Sequence, residues 1–468
     1  MVRHPRRVEL SPVTVVVDTR KVQHKALASP MIVIYVFIGL IIGGTVLLSM
    51  PFTQQGGGFT PFMDALFTAT SAVTVTGLVV QETSQYWTLG GQLVIAALIF
   101  VGGLGFMSLA TFALIAIGQR VTLPQRMLLR ESFGGDLLGT GTGGLIRLTV
   151  GIVVFAVGAQ FLAFAILAVR FWFIYTPDRA LLMALLHSIS AFNNAGFIFL
   201  TEEGGMATFQ NDGTVIGVTA GMIFLGAIGF GVVIDSVTHR RFRMFGLTTK
   251  LVLILTFATI LIGIGTFMVF EYQNPQTLGP MPVSQKLTTS VFESVSGRTA
   301  GFTTLDYSET EDETNFMMTG LMFVGGASAS VAGGIKVNTL AIILVAVLST
   351  IRGRTHAAIF GREIPFEQVR SALVLGAIST AIVFSVIVAL SITDGGMDFL
   401  DLFFESVSAF GTVGLSTGIT PLITQWGQLI LVIAMFVGRL GPFTIGIAMA
   451  QGSSIDNYRF VQERVTIG

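Results

Sequence analysis

The stretch that decides the fold is residues 403–414, which read FFESVSAFGTVG and end in Thr412, Val413 and Gly414. Related stretches stand earlier in the chain: FTATSAVTVTG at 67–77, HSISAFNNAG at 187–196 and FESVSGRTAG at 292–301. Each is a short, serine-bearing apolar segment that ends in small or polar residues and a glycine. The final glycines are 119, 105 and 113 residues apart, which indicates four copies of one structural unit.

The composition is that of an integral membrane protein. Hydrophobic residues make up 52% of the chain and charged residues only 11%, whereas soluble proteins carry about 25% charged residues. The first thirty residues carry charges throughout, so we predict a cytoplasmic segment there and no signal peptide. There are no cysteines, and the five histidines are scattered, which excludes disulfides, thiolate metal sites and thiol catalysis.

Apolar runs of about 20 residues are long enough to cross a bilayer. We expect eight: Met31–Met50, Gln92–Gly118, Leu148–Val169, Val215–Val237, Leu251–Phe270, an interrupted Phe316–Thr350, Ala372–Ser391 and Gly427–Ala450. Between the members of each pair lies a shorter run: Phe62–Thr74, Ala180–Phe192, Gln285–Ser296 and Asp398–Phe410. Short apolar runs are typical of re-entrant segments. We therefore predict an all-α membrane protein with four helix–pore loop–helix repeats.

The distribution of basic residues predicts the orientation. Segments assigned to the inside hold 20 Lys and Arg and segments assigned to the outside hold 4, so both termini should be cytoplasmic. All four repeats then enter from the same side, which favours parallel copies around one pseudo-fourfold pore over an inverted-repeat transporter. The predicted divisions are a cytoplasmic segment 1–30, repeat 1 at 31–118, a linker at 119–147, repeat 2 at 148–237, repeat 3 at 251–350, repeat 4 at 371–450 and a cytoplasmic tail 451–468.

Acidic residues are concentrated on the opposite side. By the same division, about 17 lie outside and 9 inside, which would attract cations to the outer mouth. Five of the outer ones are Asp306, Glu309, Glu311, Asp312 and Glu313. For that cluster the favoured interpretation is an ordinary solvated loop.

The four glycines predict an ion-selectivity filter. Rings of backbone carbonyls replace the hydration shell of an ion, and glycine adopts the backbone angles that aim successive carbonyls at one axis. A short helix that ends at the filter also directs its negative C-terminal end toward a cation. The sequence thus predicts a pore for a bare monovalent cation, most simply potassium, bound by backbone carbonyls. The predicted filter residues are Val75, Thr76, Gly77, Asn194, Ala195, Gly196, Thr299, Ala300, Gly301, Thr412, Val413 and Gly414.

A glycine also recurs in the later helix of each repeat, and the third copy opens a flexible run. The four glycines are Gly102, Gly226, Gly325 and Gly438, and small residues of this kind let helices approach closely. The third copy continues to Lys336, and nine of the twelve residues 325–336 are Gly, Ala or Ser, so a firm helix is not expected. We predict an intramembrane gate loop; a kinked helix with Lys336 reaching the cytoplasmic surface is the alternative. The predicted gate residues are Gly325, Gly326, Ala327, Ser328, Ala329, Ser330, Gly333, Gly334, Lys336 and Arg439.

Arg439 takes the place of a small residue in the fourth copy, Gly438-Arg439. An arginine in a membrane helix costs free energy, so it usually faces a cavity and serves function. It could pair with carbonyls of the gate loop or repel a cation below the filter. A purely structural salt bridge is the alternative.

These motifs resemble the Trk/Ktr/HKT superfamily of potassium transporters over nearly the whole chain, and within it the KtrB type of bacterial membrane subunit. The resemblance rests on SAFGTVG at 408–414, GRTAGF at 297–302, the run ending GGIK at 333–336, and GRLGP at 438–442. It implies potassium uptake through one pore per subunit in the bacterial cell membrane, and a homodimer. It also implies a cytoplasmic nucleotide-binding regulatory subunit of KtrA type. No organic cofactor and no nucleic acid is expected.

Two other functions are alternatives. The pore could be activated by sodium or conduct it; in plant members of the family a serine in place of the first filter glycine accompanies sodium preference, and Gly77 argues for potassium. An intramembrane enzyme would need a catalytic pair at membrane depth. Only Lys336 and Arg439 are evident deep charges, and neither has an evident catalytic partner, so no enzyme is predicted.

Overall fold

The structure, a computed structural model, consists of four repeats of a first helix, a short buried helix and a second helix. It describes residues 31–104, 142–199 and 205–441. These residues form fifteen α-helices and one two-stranded hairpin, and the all-α fold class is confirmed. The predicted segments 1–30 and 451–468, most of the linker, and the predicted ends of the spans Gln92–Gly118 and Gly427–Ala450 lie outside the described residues.

The first helix of each repeat exposes large apolar side chains along much of its length. These helices are Met31–Leu48, Thr142–Trp172, Leu247–Phe270 and Phe366–Thr393. The segments Thr149–Trp172, Leu247–Phe270 and Phe366–Thr393 are long and apolar enough to cross a membrane. Large side chains such as Phe161 and Phe384 are exposed on them, as suits a surface in contact with acyl chains.

The short helices, called re-entrant helices below, agree with the predicted runs to within three residues. They are Phe62–Thr74, Pro177–Phe192, Val283–Ser296 and Phe399–Gly411. In each of them the C-terminal half is almost fully buried, which places the helix ends at the centre of the molecule.

The second helices of repeats 1 and 4 begin near the surface and end at the buried ends of the re-entrant helices, and the second helices of repeats 2 and 3 are broken. In repeats 1 and 4 they are Leu89–Gly103 and Gln425–Leu440. In repeat 2 the chain forms Gly213–Ile228 and Phe230–His239, and in repeat 3 it forms Asp312–Met322 and Val337–Ile351.

The break in repeat 2 divides the predicted span Val215–Val237 at Gly229. The two helices on either side meet at 95°. Gly229 has φ +81° and ψ 142°, a conformation that residues with a Cβ strongly disfavour. A Cβ on Gly229 would also lie 3.0 Å from the carbonyl oxygen of Ser328 in the repeat 3 loop. Periodicity alone shows one apolar run here, because both halves are apolar.

The repeats close into a ring through their second helices. Each second helix packs on the re-entrant helix of its own repeat in repeats 1, 2 and 4, and in every repeat it packs on the re-entrant helix of the next one. In repeat 3 the first broken half, Asp312–Met322, makes the contact with repeat 4. Gln425–Leu440 of repeat 4 packs on Phe62–Thr74 of repeat 1 and so completes the circle.

Short elements connect these helices. They are the helical turn Thr83–Tyr86, the 3₁₀ turns Pro51–Thr53, Gly205–Phe209, Phe242–Met244 and Thr420–Leu422, and the antiparallel strands Ala358–Ile359 and Arg362–Glu363.

Candidate ion pathway

The four glycines predicted as a filter lie side by side in a closed ring. A Cβ placed on Gly196 would lie 2.8 Å from the carbonyl oxygen of Ala300 and 3.1 Å from the Cα of Gly301. One placed on Gly77 would meet Ala195 and Gly196 in the same way. The same contact recurs from Gly301 to Gly414 and from Gly414 back to Gly77. Segments more than one hundred residues apart in the chain thus form one fourfold arrangement.

The backbone has the same unusual conformation in all four copies. The residue two before each glycine has positive φ, with values of 56° at Val75, 56° at Asn194, 82° at Thr299 and 48° at Thr412. Three of these four are β-branched, for which positive φ is a strained conformation. Each following glycine also has positive φ. Strain repeated at four equivalent positions is typical of a functional site held by its surroundings.

Hydrogen bonds attach each segment to its own re-entrant helix. The amides of Thr76, Ala195 and Val413 donate to the carbonyl five residues earlier, at 2.8–2.9 Å. In repeat 3 the amide of Ala300 donates instead to Ser296, four residues earlier, at 2.9 Å. From the shared serine to the final glycine the third copy is one residue shorter than the others, and the tighter bond absorbs the difference.

Serines add a second attachment in two repeats. The amide of Gly77 donates to Ser71 Oγ at 3.0 Å, and the amide of Gly414 donates to Ser408 Oγ at 3.1 Å. Ser190 Oγ donates instead to the carbonyl of Phe197 at 2.9 Å, after the glycine of repeat 2.

The recurring glycines of the second helices pack against the ends of the re-entrant helices. A Cβ on Gly102, Gly226 or Gly438 would collide with the carbonyl oxygen four residues before the filter glycine of its own repeat. Only a residue without a side chain allows this approach. Gly325 of repeat 3 departs from the pattern, since a Cβ there would meet the carbonyl of Gly333 and the methyl of Thr299.

Residues 323–336 form an irregular loop inside the protein, between Met322 and Val337. Backbone bonds connect it to repeat 2: Ala327 N donates to Ala227 O at 2.9 Å and Val331 N donates to Gly226 O at 3.2 Å. A Cβ on Gly333 would collide with the side chain of Thr412, so the loop lies directly against the filter segment of repeat 4.

Arg439 joins this loop to repeat 1. Its guanidinium donates to the carbonyl of Val331, and its Nη2 donates to the carbonyl of Gly102 at 2.7 Å. Within the described part of the chain no carboxylate lies within ion-pair distance of Arg439. In this part of the chain the guanidinium thus bonds to two backbone carbonyls, one in the loop and one in the second helix of repeat 1. Lys336 donates to the carbonyl of Ala332 in its own loop.

A third deep cation, Arg298, escaped the sequence analysis. It is only 3% exposed, and its Nη2 donates to the carbonyl of Gly325 at 3.2 Å, where the loop begins. It stands next to the predicted filter residue Thr299, and assigning it to the outer segments hid its burial. An arginine one residue from a predicted filter is the signal that would have identified it.

Three comparisons with known proteins agree with this architecture. A protein-family model described as TrkH, cation transport protein, matches residues 10–457. The chain is 39% identical to the Ktr system potassium uptake protein B of Bacillus subtilis, over 94% of this chain and 96% of that one. It is 33% identical to the potassium/sodium uptake protein NtpJ of Enterococcus hirae, over 92% and 95%.

The fold also matches a solved structure. The crystal structure of the potassium transporter TrkH from Vibrio parahaemolyticus superposes with a TM-score of 0.66 and 18% identity, over 92% of this chain and 86% of that one. This match supports the fold, and the sequence matches support the family. The chain is a multi-pass membrane protein that belongs to the TrkH family of cation transport proteins.

Proposed function

We propose that this protein takes up potassium across the bacterial plasma membrane through a filter of backbone carbonyls. The observation that carries the proposal is the closed ring of Gly77, Gly196, Gly301 and Gly414. Backbone oxygens at the centre of such a ring replace the water around a bare cation. The names of the Bacillus and Enterococcus relatives both include potassium uptake.

The loop 325–336 is the proposed gate. It is irregular, it packs against the filter segment at Thr412, and Arg439 bonds it to repeat 1 through a carbonyl on each side. A segment held by a few hydrogen bonds opens at lower free energy than a packed helix. We propose that a cytoplasmic nucleotide-binding subunit of KtrA type controls this loop, that the membrane subunit is a homodimer, and that both termini are cytoplasmic.

A second candidate is sodium-linked or sodium-conducting transport. The observation that favours it is the similarity to the Enterococcus protein, whose name includes both potassium and sodium. Glycine at all four ring positions favours potassium as the main ion, because it leaves the carbonyl ring unobstructed.

The test is growth of a bacterium that lacks potassium uptake, at limiting potassium, with wild-type protein or the Gly77→Ser variant and with a co-expressed regulatory subunit. We expect rescue by the wild type and weaker rescue by the variant, because the serine side chain would collide with the carbonyl oxygen of Ala195. Failure of the wild type to rescue, with verified membrane expression, would reject potassium uptake. Growth that depends on added sodium would favour the second candidate.

A further inference from the structure

Repeats 3 and 4 carry a buried carboxyl group at the same place in their re-entrant helices. Both helices contain the sequence FESVS, at 292–296 and 404–408. Glu293 and Glu405 are both completely buried. A carboxyl group in such a place costs free energy unless hydrogen bonds satisfy it, so its partners should indicate its role.

The partners of Glu293 all follow the filter glycine of its own repeat. Its Oε1 accepts from the amide of Thr304 at 2.7 Å and from the hydroxyl of Thr304 at 2.9 Å. Its Oε2 accepts from the hydroxyl of Tyr307 at 3.2 Å. Thr304 is three residues after Gly301, so this one side chain holds the chain as it leaves the filter.

Glu405 does the same in repeat 4 with a different set of donors. It accepts from the hydroxyl of Ser416, two residues after Gly414, and from the hydroxyl of Thr420 at 3.0 Å. The two hydroxyl oxygens are also 3.0 Å apart, so the three side chains form one compact polar cluster.

The equivalent residues of repeats 1 and 2 do not make this contact. Thr68 occupies the place in FTATS, and its buried hydroxyl has no hydrogen-bond partner in the structure. His187 occupies it in HSIS, and its Nε2 lies 2.9 Å from the hydroxyl of Thr219 in the second helix. Among the described residues, which leave out 200–204 of repeat 2, the feature occurs in two neighbouring repeats, whereas the glycine ring involves all four.

We infer that Glu293 and Glu405 are positioning residues that attach the chain following the third and fourth filter glycines to the re-entrant helix that precedes each glycine. The inference rests on the proposed potassium function. A carbonyl ring discriminates between ions through the number and position of its oxygens. Releasing the segment after Gly301 or Gly414 frees those carbonyls to adapt to a smaller ion, so selectivity should fall.

The decisive variants remove donors and leave each glutamate in place. Tyr307→Phe and Thr420→Val each delete one hydroxyl with little change in shape. The readout is rubidium uptake in competition with sodium, in membranes that contain the complete transporter. We expect the preference over sodium to fall by about three- to tenfold in each variant, the order of magnitude that loss of one such hydrogen bond allows.

Glu271 provides a matched control in the same repeat. It is equally buried, and it accepts from Asn274 at 2.8 Å, Thr277 at 2.6 Å, the amide of Glu311 at 2.9 Å and Thr314 at 2.5 Å. None of these donors adjoins a filter glycine. Thr314→Val should therefore leave selectivity unchanged, even if it lowers thermal stability. An equal loss of selectivity in Thr314→Val would overturn the inference, because general loosening would then explain every variant.

Substitution of the glutamates separates hydrogen bonding from charge. Glu293→Gln and Glu405→Gln keep one acceptor oxygen, and their new NH2 group can donate to the hydroxyl of Tyr307 or Thr420 in place of the other. We therefore expect nearly wild-type selectivity, whereas Glu293→Ala and Glu405→Ala should lose it. If the glutamine variants lose as much as the alanine variants, the role is electrostatic and the positioning role is wrong.

If Gly414→Ser changes selectivity and none of the glutamate or donor variants does, this inference fails while the proposed filter stands. If the wild type takes up no potassium or rubidium, the proposed function itself fails.

Discussion

Gly414 of the last repeat lies directly beside Gly77 of the first, so that a Cβ on Gly414 would stand 2.9 Å from the Cα of Gly77. This contact closes the ring, since the other three contacts join successive repeats. A side chain at either glycine would therefore disturb two repeats at once.

The Gly414→Ser variant should lower the preference for potassium over sodium. Its side chain would collide with the carbonyl of Thr76, and the backbone at φ +92° disfavours any residue with a Cβ. Competition of sodium with rubidium uptake measures the effect. Gly217→Ser is the control, because nothing lies within 4 Å of a Cβ there. Unchanged selectivity in Gly414→Ser would remove Gly414 from the filter.

The Arg439→Ala variant should raise the rate of potassium uptake and leave selectivity nearly unchanged. It deletes the bonds to Val331 and Gly102 and also a positive charge near the proposed gate, but it touches no filter residue. The uptake rate of Arg439→Lys should fall between those of the wild type and Arg439→Ala, since an ammonium group lacks the planar guanidinium that reaches both carbonyls. Initial uptake rates, normalised to protein in the membrane, make the comparison. A wild-type rate in Arg439→Ala would leave this arginine with a structural role only.

Shortening the loop within residues 326–334 should increase flux when no regulatory subunit is present. The loop packs against Thr412 of the proposed filter and bonds to Ala227. Its removal should therefore open the path next to the filter. Uptake into proteoliposomes that contain the membrane subunit alone tests this. Zero flux from a variant that is folded and inserted would contradict the gate.

The Gly438→Ala variant should destabilise the protein by about 1–3 kcal/mol, the usual cost of inserting a methyl group into a packed contact. The added carbon would collide with the carbonyl of Phe410 at the end of the fourth re-entrant helix. Gly221→Ala is the control, because its Cβ would meet nothing within 4 Å. Thermal unfolding of the detergent-solubilised protein measures the difference, and equal midpoints would show that the close approach is not required.

Much of the fold and of the candidate site follows from local sequence. The length of the apolar runs distinguishes the long first helices from the re-entrant helices. A helix needs about 20 apolar residues to cross the bilayer, whereas a re-entrant helix is shorter because it does not cross. The glycines of the ring stand out because they recur at intervals of 119, 105 and 113 residues, each after a related serine-bearing apolar segment. The irregularity of 325–336 follows from a composition that cannot sustain a helix.

Only the tertiary structure decided which distant groups meet. The bend at Gly229 lies against the loop of repeat 3, and Arg439 finds one of its acceptors in Gly102, 337 residues away. The attachments of Glu293 and Glu405 and the burial of Arg298 likewise arise from the folded chain. Sequence patterns specify conformation and burial within a segment, but contacts between segments are selected by the packing of all four repeats around one axis.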